Sequence, residues 1–117
     1  MWSLDARIPL TILADQPALM AAVGGGDAAV LLAGPPVDLP AGLAVERFDA
    51  SAAHAVACSC CGGRTPAATA LDRLFQARVR GTVPWFRRVL AFTPGAEAAV
   101  RAAVEQDTLA RARFRLG

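Results

Sequence analysis

Three cysteines lie within four consecutive positions, at Cys58, Cys60 and Cys61, and the chain contains no other cysteine. Thiolates are soft ligands that favour zinc, copper(I) and related metal ions. An extended strand would turn Cys61 away from the other two, so the chain must bend there, and Gly62 and Gly63 permit such a bend. The spacing therefore predicts a site for zinc or another soft transition metal ion.

The fourth ligand of such a site is less defined. His54 is the only histidine, and in an extended chain it would lie up to about 13 Å from Cys58, so it can bind only if the chain folds back. An open fourth position would suit transfer of the metal. Two other interpretations of the thiols stay open: redox chemistry through a Cys58–Cys60 or Cys60–Cys61 disulfide, and simple burial as small core residues.

The composition predicts one domain over residues 1–117. It is 55% hydrophobic and 19% charged, which favours a packed core over disorder. No apolar run approaches the roughly 18 residues of a membrane span, and no signal peptide is visible at the start. We expect no membrane partner and a cytoplasmic location, where thiols stay reduced.

Charge is distributed unevenly along the chain. Residues 1–61 contain two arginines and six acidic residues, whereas residues 62–117 contain ten arginines and four acidic residues, and there is no lysine. A basic half can indicate nucleic-acid binding. No aromatic residues alternate with these arginines as base stacking would require, so we interpret them as solvated helix faces and expect no nucleic-acid partner.

The hydrophobic pattern alternates between strands and helices. It predicts strands over residues 7–13, 28–32, 43–48 and 86–92, and helices over residues 16–23, 66–80 and 96–106, with a last turn from 107 to 113. Asp15 and Thr65 are N-cap residues, each closely followed by a proline. This order predicts an α/β fold of two or three layers, with a mostly parallel sheet of about four strands.

The order of segments resembles the CobW-like family of P-loop GTPase metallochaperones. Residues 7–13 resemble the strand that precedes the family's phosphate loop, and residues 86–95 and 105–116 resemble two later stretches. Residues 57–61 match the family's Gly-Cys-x-Cys-Cys metal motif, with Ala57 in place of glycine. The resemblance implies a P-loop-NTPase-like half domain and a metal site at the three cysteines.

The phosphate loop itself is missing. Such a loop needs glycines, a lysine and a hydroxyl to hold phosphate and Mg²⁺, but after Leu13 the chain reads Ala-Asp-Gln-Pro-Ala-Leu-Met. Asp15 would repel phosphate and Pro17 lacks an N–H donor. Ala91 stands where the family has an acidic residue on its later strand. We therefore expect no GTP hydrolysis and no enzymatic activity based on phosphoryl transfer.

Three functional hypotheses follow. The first is a metal carrier, buffer or sensor without nucleotide dependence. The second is an interaction module that pairs with itself or with a complete CobW-like GTPase, through a sheet edge or through Trp85 and Phe86, although Trp85 could equally pack on the end of the sheet. The third is a thiol redox protein.

Overall fold

The computed structural model describes residues 6–35, 37–49 and 65–117. Strands and helices alternate along these residues except at two places, where two strands and two helices follow one another. The strands are β1 (Ile8–Ile12), β2 (Ala28–Leu32), β3 (Ala44–Arg47), β4 (Arg88–Phe92) and β5 (Phe114–Leu116). The helices are α1 (Gln16–Val23), α2 (Pro66–Arg80), α3 (Glu97–Gln106) and α4 (Thr108–Arg113).

The strands form one parallel sheet in the order β3-β2-β4-β1-β5. This confirms the predicted α/β class and the parallel sheet. The sheet has five strands in the described residues, whereas the sequence pattern predicts about four. The strand that was not predicted is β5, which pairs Phe114 with Ile8 and continues the sheet beyond β1.

Helices cover both faces of the sheet, so the fold has three layers. Alternate residues of β2 point to opposite faces: Ala29 and Leu31 belong to one apolar cluster, and Val30 and Leu32 to the other. The first cluster contains the buried residues of α2, α3 and α4. The second contains those of α1, with partly buried side chains from the connection between β2 and β3 packed against it. Both faces are therefore apolar, which explains why β2 reads as an uninterrupted apolar run.

Local signals define the ends of the longest helix. The hydroxyl of Thr65 accepts a hydrogen bond from the N–H of Ala68 at 3.2 Å, and Pro66 takes the first helical position, where no N–H is needed. Gly81 ends the helix with φ of 72°, a conformation that glycine adopts without strain. The predicted helix over residues 66–80 is therefore confirmed at both ends.

The C-terminal third differs from the prediction in one respect. Asp107 caps α4 as expected, since its carboxylate accepts a hydrogen bond from Ala110 N–H at 3.0 Å. The chain then does not stop at the predicted turn but enters β5 directly at Phe114. No helix within the described residues is both long enough and apolar enough to cross a bilayer.

Candidate functional site

The carboxyl edge of the sheet is where the cysteine-bearing segment is attached. All strands end at this edge because the sheet is parallel, and ligands of open α/β sheets bind there. After β3, the N–H of Phe48 donates to Leu32 O at 3.0 Å, and its side chain is buried. Residues 50–64 join this point to Thr65 at the start of α2.

The predicted metal ligands fall within that connection. Cys58, Cys60, Cys61 and His54 all lie outside the described residues, so their convergence on a metal ion stays a prediction. The described residues themselves contain no cluster of three or more His, Cys, Asp or Glu side chains that could hold a metal ion.

The start of α2 carries a positive electrostatic potential. Its 15 residues align their peptide dipoles, and its first turn contains no acidic side chain to offset the partial positive charge at the N-terminus. The neutral hydroxyl of Thr65 caps it. A helix end of this kind stabilises nearby anions, including the thiolate form of a cysteine, whose free pKa is about 8.5.

The start of α1 occupies the place where the resemblance would put a phosphate loop. There Asp15 Oδ1 accepts a hydrogen bond from Ala18 N–H at 2.8 Å, and Pro17 lies in the first turn without an N–H. Leu19 N–H donates to the Asp15 carbonyl at 3.2 Å. The chain's own carboxylate thus takes the position at the helix end that an anionic ligand would need.

A buried hydroxyl lies at the same edge, after β4. Thr93 is 0% exposed, and its Oγ1 has no hydrogen-bond partner among the residues that the structure describes. Its carbonyl accepts from Ala96 N–H at 2.8 Å and so holds the turn that leads into α3. No sequence pattern marks this residue as buried, because Thr-Pro-Gly indicates an ordinary surface turn.

An open groove of about 440 Å³ runs between the start of β1 and the α3–α4 corner. Its lining combines two arginines and one glutamate with apolar side chains: Arg7, Val104, Glu105, Arg111, Phe114 and Leu116. The groove contains no nucleophile next to a base and no pair of carboxylates, so it does not suggest a catalytic site.

The Trp85–Phe86 pair was predicted as a contact region, but one of its residues lies at the surface and the other lies in the core. Phe86 is 0% exposed, whereas Trp85 is 60% exposed. The guanidinium carbon of Arg78 lies 3.6 Å from the centroid of the Trp85 ring, and Arg78 Nε donates to the Phe86 carbonyl at 2.8 Å. Burial in this position lowers the pKa of Arg78 from its usual value. Only Trp85 of the pair is available to a partner.

No known family model, curated protein or solved structure matches this chain. The described residues define a small parallel α/β protein in which side chains cap the starts of α1, α2 and α4. Membership of the CobW-like family stays a prediction from the sequence.

Proposed function

We propose that this chain is a cytoplasmic, non-hydrolytic metal-binding protein in which Cys58, Cys60 and Cys61 hold zinc or another soft transition metal ion. The observation that carries the proposal is the attachment of the cysteine-bearing segment. It leaves the sheet after β3 and returns at the start of α2, both at the carboxyl edge. Ligands of parallel α/β sheets bind at this edge.

The donor set fits the proposed ion. A zinc ion takes thiolate sulfur at about 2.3 Å in tetrahedral sites, and three thiolates leave one position for His54, water or a ligand from a client protein. Metal binding requires loss of the thiol protons, and the positive end of α2 favours that loss. An exchangeable fourth position suits a carrier, buffer or sensor better than a purely structural site. The reducing cytoplasm would keep the thiols available.

The start of α1 supports the non-hydrolytic part of the proposal. Phosphoryl transfer depends on positioning and on neutralising phosphate charge. Here the Asp15 carboxylate occupies the helix start, Pro17 offers no N–H, and the sequence contains no lysine. Metal binding in this protein would therefore not be driven by nucleotide hydrolysis.

A competition titration against a chromophoric chelator tests the metal site in the reduced protein. Replacing the three cysteines by serine should weaken zinc affinity by more than about a hundredfold, because the thiolate ligands are lost. Ser59→Ala is the matched control within the motif and should bind zinc as the wild type does. His54→Ala reports whether the histidine completes the site.

Equal zinc affinity in the wild type and the triple serine variant would contradict the metal site. Loss of a pair of thiols after mild oxidation, together with catalysis of insulin reduction, would replace it by the redox hypothesis. GTP hydrolysis by the purified chain would contradict the non-hydrolytic part separately.

A further inference from the structure

We propose that the groove beside β5 binds a small amino acid in its zwitterionic form, with an apolar side chain. This α3–β5 groove is the opening of about 440 Å³ that is lined by Arg7, Val104, Glu105, Arg111, Phe114 and Leu116. It lies beside β5, the last strand at one end of the sheet, whereas the cysteine-bearing segment follows β3, the last strand at the other end. The inference goes beyond metal binding and does not depend on the cysteines.

Two arginines supply the positive charge of the α3–β5 groove. Arg7 and Arg111 line it and also line a neighbouring opening of about 400 Å³, so both lie where the two openings meet. Arg7 Nη1 donates to the Arg111 carbonyl at 3.5 Å, which places the Arg7 guanidinium against α4. Guanidinium groups present several N–H donors in one plane, which matches the two oxygens of a carboxylate. The two arginines therefore favour a ligand with a carboxylate group.

Glu105 supplies the opposite charge. It is exposed and lines the α3–β5 groove but not the neighbouring opening. Neither its carboxylate nor the Arg111 guanidinium makes an ion pair or hydrogen bond with another residue that the structure describes. Asp107 does not line the groove, and its carboxylate caps α4. Groups of opposite charge thus face one groove without pairing, and a ligand with both a carboxylate and an ammonium group complements them.

The floor of the α3–β5 groove is apolar and is held in place by the core. Val104 and Phe114 are buried members of the larger apolar cluster, and Leu116 is partly buried against it. The Phe114 ring packs edge-on against Phe75, with the ring centroids 6.3 Å apart. Side chains that are already packed lose little conformational entropy when a ligand binds. This floor favours an apolar group on the ligand.

Other small ligands fit this set of groups less well. Phosphate would bring only negative charge and no apolar group to a groove that also contains Glu105. A plain carboxylic acid would leave the glutamate without a partner, and an amine would meet the two arginines. An apolar amino acid engages all three kinds of group. The volume of the groove also lies within the range of about 300–1,000 Å³ that is typical of small-molecule sites.

Titration of the full chain with leucine, followed by NMR shifts of its backbone amides, tests the proposal. We expect saturable shifts centred on residues 104–116. Isocaproate, which lacks the ammonium group, and isoamylamine, which lacks the carboxylate, should each bind at least about tenfold more weakly than leucine. Inorganic phosphate should not displace leucine.

Variants of the two exposed charges should separate the two ends of the ligand. Arg111→Gln should weaken both leucine and isocaproate by about tenfold, because both ligands carry the carboxylate. Glu105→Gln should weaken leucine by a similar factor but should not weaken isocaproate, which has no ammonium group. Both residues are exposed, so neither change should prevent folding. Leu109→Ala on α4 and Arg101→Gln on α3 do not alter the groove lining and should bind leucine as the wild type does.

The proposal is overturned if leucine causes no saturable shift, if isocaproate binds as tightly as leucine, or if phosphate displaces leucine. It is also overturned if Arg111→Gln or Glu105→Gln leaves leucine binding unchanged. Shifts of the groove residues that grow with protein concentration alone would show that a second copy covers the groove, which overturns it as well. The triple cysteine-to-serine variant should bind leucine normally, so a failure of the metal site would leave this test intact.

Discussion

The helix starts of α1 and α2 at the carboxyl edge and the end of α1 at the amino edge are stabilised in different ways. At the carboxyl edge, short side chains cap the helix that follows them: Asp15 and Thr65 each accept an N–H from a residue three positions later. At the amino edge, an arginine from a distant strand caps the end of α1. Arg88 donates from Nη2 to Ala22 O at 2.6 Å and to Gly26 O at 2.9 Å, across more than 60 residues of chain.

Three arginines of the basic half make contacts that stabilise the fold. Helix carbonyls at the amino edge carry partial negative charge and attract guanidinium groups. Arg88 caps α1, Arg78 holds the Phe86 carbonyl, and Arg113 pairs with Asp72 at 2.6 Å. All three are partly buried, so our interpretation of the basic half as solvated helix faces was wrong for these residues. Their guanidinium groups stabilise the fold through these hydrogen bonds and this ion pair.

Phe86 and Trp85 are neighbours at the amino edge, and we expect them to differ most in how much each contributes to stability. Phe86→Ala removes a fully buried ring and should lower the free energy of unfolding by about 3–5 kcal/mol. Trp85→Ala removes a ring that is mostly exposed and should lower it by only about 1 kcal/mol or less, chiefly through the lost contact with Arg78. Urea unfolding of both variants measures the difference. Equal losses would mean that Trp85 is part of the core.

The stabilisation of the end of α1 by Arg88 can be tested with the adjacent Arg87 as the control. Arg88→Met keeps the apolar stem but removes the charged hydrogen bonds to α1, and should cost about 1.5–3 kcal/mol of stability. Arg87→Met alters an exposed side chain and should change stability by about 0.5 kcal/mol or less. Thermal unfolding compares them. Similar effects from both would show that Arg88 does not stabilise the end of α1.

The local caps of the carboxyl edge should contribute less. Asp15→Ala removes the acceptor for Ala18 N–H and should lower stability by about 1 kcal/mol. Asp15→Asn keeps an acceptor oxygen at the same position, so it should retain most of that stability. A full loss in the asparagine variant would mean that the negative charge, rather than the hydrogen bond, stabilises α1.

Replacing Thr93 by valine should have the smallest effect on the free energy of unfolding, and it should raise that free energy rather than lower it. Its buried Oγ1 has no hydrogen-bond partner within the described part of the chain, so Thr93→Val removes an unsatisfied hydroxyl without changing the shape. Stability should rise by up to about 1 kcal/mol. Thr93→Ser keeps the hydroxyl and loses a methyl group, and should lower stability by about 1 kcal/mol. Destabilisation by valine would show that the hydroxyl does have a partner.

The same difference between local and long-range contacts decides how much of the fold could be predicted from the sequence. The ends of α2 were predicted correctly because Thr65, Pro66 and Gly81 act on residues within one helical turn. β5 was missed because three residues carry little pattern, and its strand conformation depends on pairing with β1, more than 100 positions earlier. The capping of α1 by Arg88 also depends on a contact across more than 60 positions, so it could not be predicted either.

The candidate sites differ in the same way, because one is a local sequence pattern and the others depend on contacts between elements. The cysteine motif is a local pattern, so the sequence alone is enough to predict a metal site there. The contact of Trp85 with Arg78 joins a loop to α2, and the burial of Thr93 depends on the packed sheet. Neither could be deduced from neighbouring residues, because each results from contacts between elements.

X-ray absorption at the zinc edge, on reduced protein loaded with less than equimolar zinc, tests the central claim most directly. We predict a first shell dominated by sulfur at about 2.3 Å, supplied by Cys58, Cys60 and Cys61. A first shell of nitrogen and oxygen alone, at about 2.0–2.2 Å, would contradict the account.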